Sequence, residues 1–338
     1  MKLEDIARLA NVSKSAVSLA INGKPGVSKE TRERILKIAE EHNYVPRRHL
    51  GKQSKKNRTI RFVVCKSPDL ITDHYQDLPF FNELISYLSA EINNYPYDLI
   101  ISTFDEDKFL TDLNNAENEQ TSEGIILLGT NLNRELIQQI QNAYAKLVIL
   151  DTHHPDINAN FVAINNFLGG YQAADHLITS GHKKIGYAQG IPRIMNFRQR
   201  KEGFLSRMKE SSLNIPNKYK FQFPAMEINE NEEMKKTFES LSDLPTAIFC
   251  ENDYIAISLI KTLDTIGIKT PEDISVIGFD NISESRVITP ELSTIKVNKR
   301  ELAIQTLELL ENIIHNADEN KHVFINTTLI VRNSSSTV

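Results

Sequence analysis

The side chains able to do chemistry in this chain fall into two groups of opposite sign. Residues 1–58 hold 14 Lys and Arg against 6 Asp and Glu, whereas residues 59–338 hold 25 against 38. Within the basic end, Lys14, Ser15 and Ser18 sit at the spacing of one helix face. Such a row can donate to phosphate oxygens and to base edges, and a basic end on an acidic body is the electrostatic footprint of a chain whose one end meets polyphosphate. Bond-making chemistry is poorly served. His153, His154, His176 and His182 have no companions at metal-ligand spacing, and Cys65 and Cys250 are two lone thiols far apart. Their natural setting is a reducing compartment. The chain has no glycine-rich dinucleotide loop, no Gly-Lys-Ser/Thr phosphate loop and no nucleophile elbow. Neither catalysis nor a metal nor a cofactor is expected.

The elements that must position the basic row are short helices. Leu3, Ile6, Ala7 and Ala10 recur at helical spacing, and Asn11-Val12 interrupts them. Ser13 is a good N-cap for a second helix, from Lys14 to about Ile21, with Val17 and Ile21 turned inward. The stretch from Asn22 to Gly26 is a stop signal, after which Ser28 caps a third helix through Glu41 carrying Ile35, Leu36 and Ala39 as its apolar stripe. Two short helices joined by a tight turn and braced by a third form a helix-turn-helix, which seats its second helix in the major groove of DNA. The expected recognition surface is therefore Lys14 to Leu19.

From Thr59 onward, apolar and β-branched runs alternate with amphipathic stretches, the pattern of parallel βαβ units. Strands are expected at Ile60–Cys65, Leu99–Thr103, Gly124–Leu128, Leu147–Leu150, Ile185–Ala188, Ala247–Cys250 and Ser275–Phe279, with helices at Phe81–Asn93 and from Gly169, Arg200 and Asp253. The expectation is a small all-α helix-turn-helix headpiece and an α/β module of two doubly wound parallel lobes, whose cleft lies at the carboxyl ends of the strands. Its segments are 1–45 for the headpiece, 46–58 for a basic hinge or linker and 59–338 for the module. One lobe takes roughly 59–160 plus 282–295, the other 161–281 plus 296–338. Lys66–Leu78 reads as a solvated loop or a lid over the cleft, and Phe221-Gln222-Phe223-Pro224 as a sheet edge or a ligand contact. The opening Met1-Lys2-Leu3-Glu4-Asp5 lacks a signal-peptide pattern, and no run approaches the roughly 20 apolar residues of a membrane span. A cytoplasmic protein without a membrane partner is expected.

The headpiece residues Asp5-Ile6-Ala7, Val12-Ser13, Ala16-Val17-Ser18, Ile21-Asn22-Gly23 and Val27-Ser28 closely resemble the lactose-repressor (LacI/GalR) family of bacterial transcriptional regulators. The resemblance continues through Pro79-Phe80-Phe81, Asn165-Asn166, Gly169-Gly170-Tyr171, Arg198 and Arg200 with Gly203-Phe204, Asn252-Asp253 and Ile277-Gly278-Phe279-Asp280-Asn281. It implies a transcriptional regulator, by family habit a repressor of carbohydrate-utilisation genes, that binds double-stranded operator DNA as a homodimer. A small effector, a sugar by family default, and in some relatives a phosphocarrier co-regulator, would control it.

By family position, Lys14, Ser15 and Leu19 reach base edges, and Ser18, Asn22 and Ser28 lie on the same DNA-facing surface. Lys14 can donate to guanine and Ser15 can pair with several bases, whereas Leu19 offers only apolar contact to a thymine methyl. Tyr44, Arg47, Arg48 and Leu50 fall in the hinge that wedges a leucine into the minor groove. Here the hinge departs from the family pattern, and a disordered basic linker is the competing account. Asp151, Arg198, Arg200, Asn252 and Asp280 are the implied effector-binding residues, with Phe80 or Phe81 as the stacking ring. The competing account is structural: Asp280-Asn281 as a turn after a strand, and both phenylalanines as core.

Overall fold

The computed structural model of the chain describes residues 3–21, 26–41, 58–68, 70–315 and 319–338. The chain divides into two compact units, Met1–Lys55 and Lys56–Val338. Among the described residues no helix is long and apolar enough to cross a membrane.

The first unit contains helices α1 (Leu3–Leu9), α2 (Lys14–Ile21) and α3 (Lys29–Glu41). The two expected caps are present: Ser13 Oγ accepts from Ala16 N at 3.1 Å and Ser28 Oγ from Thr31 N at 3.2 Å. Each satisfies one of the orphan donors at a helix start. Ile6, Ala7, Ala10, Val17, Ala20 and Ile35 form the small core, with Val12, Val27 and Ile38 packed on it. Among the described side chains the apolar stripe of α3 is thus Ile35 and Ile38, while the side chains of Ala39 and of Ile21 lie outside the described residues. Leu36, expected inside, is 45% exposed, because one residue along a helix rotates the side chain by about 100°.

The second unit is built on two six-stranded sheets. The first has order β11-β5-β4-β3-β1-β2 and contains β1 (Thr59–Lys66), β2 (Asp98–Asp105), β3 (Gly124–Leu128), β4 (Leu147–Leu150), β5 (Phe161–Ile164) and β11 (His322–Ile325). All its pairings are parallel. Both its faces are covered, as a parallel sheet requires. Successive side chains of β1 go to opposite sides. Ile60, Phe62 and Val64 face α4 (Pro79–Glu91) and α11 (Lys299–His315), while Val63 and Cys65 face α5 (Phe109–Glu119) and α6 (Arg134–Ala143).

The second sheet has order β12-β10-β9-β8-β6-β7. Its strands are β6 (Ile185–Ile191), β7 (Lys220–Pro224), β8 (Ala247–Cys250), β9 (Ser275–Asp280), β10 (Ser293–Lys296) and β12 (Thr328–Ile330). Only the edge strand β12 is antiparallel among these described strands. Helices α7 (Asn166–Thr179), α8 (Met195–Glu210), α9 (Glu232–Glu239) and α10 (Asp253–Thr265) belong to this lobe.

This pairing corrects the expected division of the lobes. Phe161–Ile164 pairs with β4 and belongs to the first lobe, Ser293–Lys296 pairs with β9 and belongs to the second, and His322–Ile325 returns to the first. Which sheet a short apolar run joins depends on pairing with strands far away in sequence, which its own periodicity does not encode. The chain therefore crosses between lobes near 165, near 297 and near 326. Asn165 Nδ2 donates to Asn326 Oδ1 at 2.9 Å, tying two of these crossings together.

Two further expectations change. Leu70, Ile71 and Tyr75 are buried in the core, and Lys66 Nζ holds Asp73 and Asp105 at 2.7 and 2.8 Å. The segment after β1 is therefore a loop pinned to the core at Leu70, Ile71 and Tyr75, with Thr72, Asp73, His74, Gln76 and Asp77 exposed between and beyond them. Phe221 and Phe223 stand on the edge strand β7, both buried, with rings 6.0 Å apart and nearly parallel. They are core residues, in keeping with i and i+2 sharing one face of a strand.

Candidate functional site

The carboxyl ends of β4 and β9 each deliver an aspartate into the space between the lobes. Asp151 follows β4 with φ 63° and Asp280 ends β9 with φ 107°. Left-handed backbone is uncommon away from glycine, although Asp tolerates it better than most residues, and it recurs where a site dictates the conformation.

The second lobe supplies α8. Its Asn196, Phe197 and Arg200, at i, i+1 and i+4, face the same space. Arg198, expected in the site, is exposed and does not line it. Two residues from Arg200 it is rotated by about 200° around the helix. Glycines let α8 come close enough to place Arg200: a Cβ on Gly170 would fall 1.9 Å from the Arg200 carbonyl, and one on Gly203 1.9 Å from that of Phe167.

Arg200 is 3% exposed and hydrogen-bonded through all three of its nitrogens. Its Nε donates to Asn166 Oδ1 at 2.9 Å, Nη1 to the Glu251 carbonyl at 2.6 Å and Nη2 to Asp280 Oδ1 at 3.2 Å. Its guanidinium also lies 3.6 Å from the centre of the Phe279 ring. Burial raises the Asp280 carboxyl, and the charges of Arg200 and Lys299 oppose that rise. Asp151 accepts from Thr130 Oγ1 at 2.6 Å on Oδ2 and from Asn196 Nδ2 at 3.2 Å on Oδ1. Its carboxyl is pushed up to about 7, mainly by burial.

Asn252 is the N-cap of α10, accepting from Ile255 N at 3.0 Å while its Nδ2 donates to the Ala225 carbonyl at 2.7 Å. From the first lobe come Phe80 and Phe81, whose rings meet edge to face at 5.4 Å. Both line the cleft, so the choice between them dissolves. Phe80 N donates to Tyr254 Oη at 3.2 Å across the lobes, satisfying a helix-start donor that α4 cannot satisfy itself.

Phe80, Phe81, Asp151, Arg200, Asn252 and Asp280 are thus brought together, and Thr130, Ile194, Asn196, Phe197, Met226 and Tyr254 complete the lining. These walls enclose a cavity of about 30 Å³, the room of roughly one water molecule. The lobes are closed on one another. Sequence reasoning missed Asn196 and Phe197, although their spacing of four and three from Arg200 places them on its face of the helix.

In the headpiece, Lys14 and Ser15 are exposed at the start of α2, and Ser15 Oγ hydrogen-bonds Ser13 Oγ at 3.2 Å. Leu19 is half-buried, its Cδ1 3.2 Å from where a Cβ on Gly26 would stand. It offers the outside only part of its side chain. Ser28 is exposed while capping α3. Asn22, Tyr44, Arg47, Arg48 and Leu50 lie outside the described residues, as does the side chain of Ser18. The hinge expectation for 46–58 is corrected at its end. Arg58 donates to Glu123 Oε1 at 3.0 Å and lies 5.1 Å from the Tyr97 ring centre, so it belongs to the second unit and not to a linker. Among the described residues no cluster of His, Cys, Asp and Glu can hold a metal ion.

Residues 2–47 match the model of bacterial regulatory proteins of the lacI family, and residues 174–335 that of the periplasmic binding protein-like domain. The NTD biosynthesis operon regulator NtdR of Bacillus subtilis is 33% identical over 98% of this chain and 99% of its own. The chain belongs to the lacI family. This regulator is also 32% identical to the HTH-type transcriptional repressor PurR of Vibrio vulnificus, over 98% of each chain. A lacI-family transcriptional regulator from Enterococcus faecium, solved with bound ribose, shares its fold with a TM-score of 0.68 and 25% identity, covering 83% of this chain and all of that one. The regulator is a DNA-binding transcription factor, not an enzyme. Its headpiece binds operator DNA, and its two-lobed α/β domain is of the effector-binding kind.

Proposed function

We propose that the regulator is a homodimeric repressor whose operator affinity is set by a sugar-like effector held between the two lobes. The observation that carries this reading is the convergence of Phe80, Phe81, Asp151, Arg200, Asn252 and Asp280 on one cleft. Polyhydroxylated ligands need buried donors and acceptors for their hydroxyls and a ring for their C–H face. The cleft supplies both. Ribose in the Enterococcus faecium relative is in keeping with it.

A cavity of about 30 Å³ does not admit a sugar ring, so binding must begin from parted lobes. Closure over the effector would then join Phe80 to Tyr254 and Asp151 to Asn196. A ligand that binds one lobe arrangement better than the other shifts operator affinity by that difference and by no more. On DNA, Lys14 and Ser15 read base edges, with Leu19, Ser18, Asn22 and Ser28 beside them. Tyr44, Arg47, Arg48 and Leu50 belong to the hinge. A phosphocarrier co-regulator is a further partner open to such a protein, and the cytoplasm its expected setting.

The test is a thermal-melt screen of the full chain against neutral, amino, acidic and phosphorylated sugars, followed by mobility shift on operator DNA. A ligand that binds only the folded state raises its stability by mass action. A compound that raises the melting temperature and changes operator affinity supports the reading. Compounds that bind without changing operator affinity would reject the coupling.

A further inference from the structure

Two acceptors stand side by side in the wall of the cleft, on Asp151 and Asn196. Arg200 is the cation among the described residues lining it, and its three nitrogens each make one hydrogen bond, to Asn166, the Glu251 carbonyl and Asp280, none of them to Asp151. Asp151, 2% exposed, accepts only from a hydroxyl and an amide, Thr130 and Asn196. Among the described residues its carboxyl group thus has no cationic partner in hydrogen-bond contact. Beside it Asn196 is 3% exposed, and its Oδ1 is buried with no hydrogen-bond partner among the described residues. The orientation of that amide follows from chemistry: Nδ2 faces the Asp151 carbonyl at 3.0 Å and its Oδ1 at 3.2 Å, two acceptors that only a donor can face. A buried carboxyl group with no cation in hydrogen-bond contact and an orphaned amide oxygen therefore stand side by side, and the ionised carboxylate and the amide oxygen both call for a donor.

A neutral hydroxyl brings one proton to such a place and an acceptor with it. An ammonium group brings three donors, no acceptor and the missing charge. A phosphate or carboxylate group is opposed at this place, since it would bring negative charge and further acceptors against the Asp151 carboxyl. Resting on the sugar-cleft reading above, we propose that the effector is an amino sugar whose protonated amine sits between Asp151 and Asn196. Burial that pushes the Asp151 carboxyl up agrees with a place in which an arriving cation stabilises the ionised form.

The experiment is calorimetric titration of the full chain with matched sets. Each aminohexose (glucosamine, galactosamine, mannosamine) is set against its parent hexose and its N-acetyl derivative, and the glucosamine disaccharide against cellobiose and diacetylchitobiose. At least one amino member is expected to bind about tenfold or more tightly than both counterparts, the scale on which a site built for polar groups discriminates. Asp151→Asn should bring that member to parity with its parent, and Asn196→Leu should weaken it by a similar factor. Unliganded melting curves verify that both variants fold. If the parent sugars bind as tightly as the amino sugars, or if Asp151→Asn keeps the preference, the amine is rejected while the sugar cleft stands. If no member of any set binds, the sugar reading falls and the inference falls with it.

Discussion

Arg200 Nη2 donates to Asp280 Oδ1 at 3.2 Å inside the wall of the cleft, both residues almost wholly buried. The pair is therefore a structural element before it is a ligand contact. Removing one partner leaves an uncompensated buried charge, which costs on the order of 3–5 kcal/mol, whereas neutralising both is far milder. Arg200→Ala should lower the urea midpoint sharply and abolish the effector response, and adding Asp280→Asn should recover part of the lost stability. A single variant as stable as the parent would show that the pair carries no such load.

Asp151 links stability to pH. Its carboxyl is raised from 3.8 to about 7 in the folded chain. Between those values the folded state holds a proton that the unfolded state has released, so the associated stability is complete below about pH 4 and is lost as pH rises through 7. The loss is at most about 4 kcal/mol. Asp253, raised to about 8 by burial, acts with the same sign and is unaffected by changes at Asp151. Asp151→Asn is expected to melt above the parent at pH 8 and level with it at pH 4. Equal melting temperatures at pH 8 would refute the assignment.

Tyr254 Oη receives the Phe80 N–H across the lobes. Tyr254→Phe keeps the ring and removes the acceptor, a loss of about 1 kcal/mol. The effector found in the melt screen should then bind roughly fivefold more weakly, because the closed arrangement is the one that loses the bond. Unchanged affinity would mean that this bond does not contribute to closure.

Lys14 stands exposed at the first turn of α2. Lys14→Ala should weaken binding to the cognate operator by about 1–3 kcal/mol in mobility shift and relax specificity at one base position. A loss that is equal on every DNA sequence would assign Lys14 to phosphate instead.

Ser13 Oγ caps α2 through Ala16 N. Ser13→Ala should cost the headpiece about 1 kcal/mol, read as a lower melting temperature of its unfolding step while the step of the two-lobed unit is unmoved.

Local physics made much of this regulator legible before any coordinates. The caps Ser13 and Ser28, the stops around them and the period of apolar residues define the three headpiece helices, because each is decided within a few residues. The apolar runs at Ile60–Cys65, Gly124–Leu128 and Leu147–Leu150 announce parallel strands for the same reason. Resemblance placed Asp151, Arg200, Asn252 and Asp280 at strand ends; Asp151 and Asp280 stand there, Asn252 caps α10 and Arg200 lies within α8, and all four converge. Tertiary structure alone decided the rest. Phe161–Ile164 and Ser293–Lys296 are short runs whose sheet is chosen by distant partners. Arg198 and Arg200 are alike in type, and only the packing of α8 against α7 fixes which of them turns inward. Asn196 became visible as an orphaned acceptor because satisfaction of a buried group is a property of everything around it, and no local pattern carries that information.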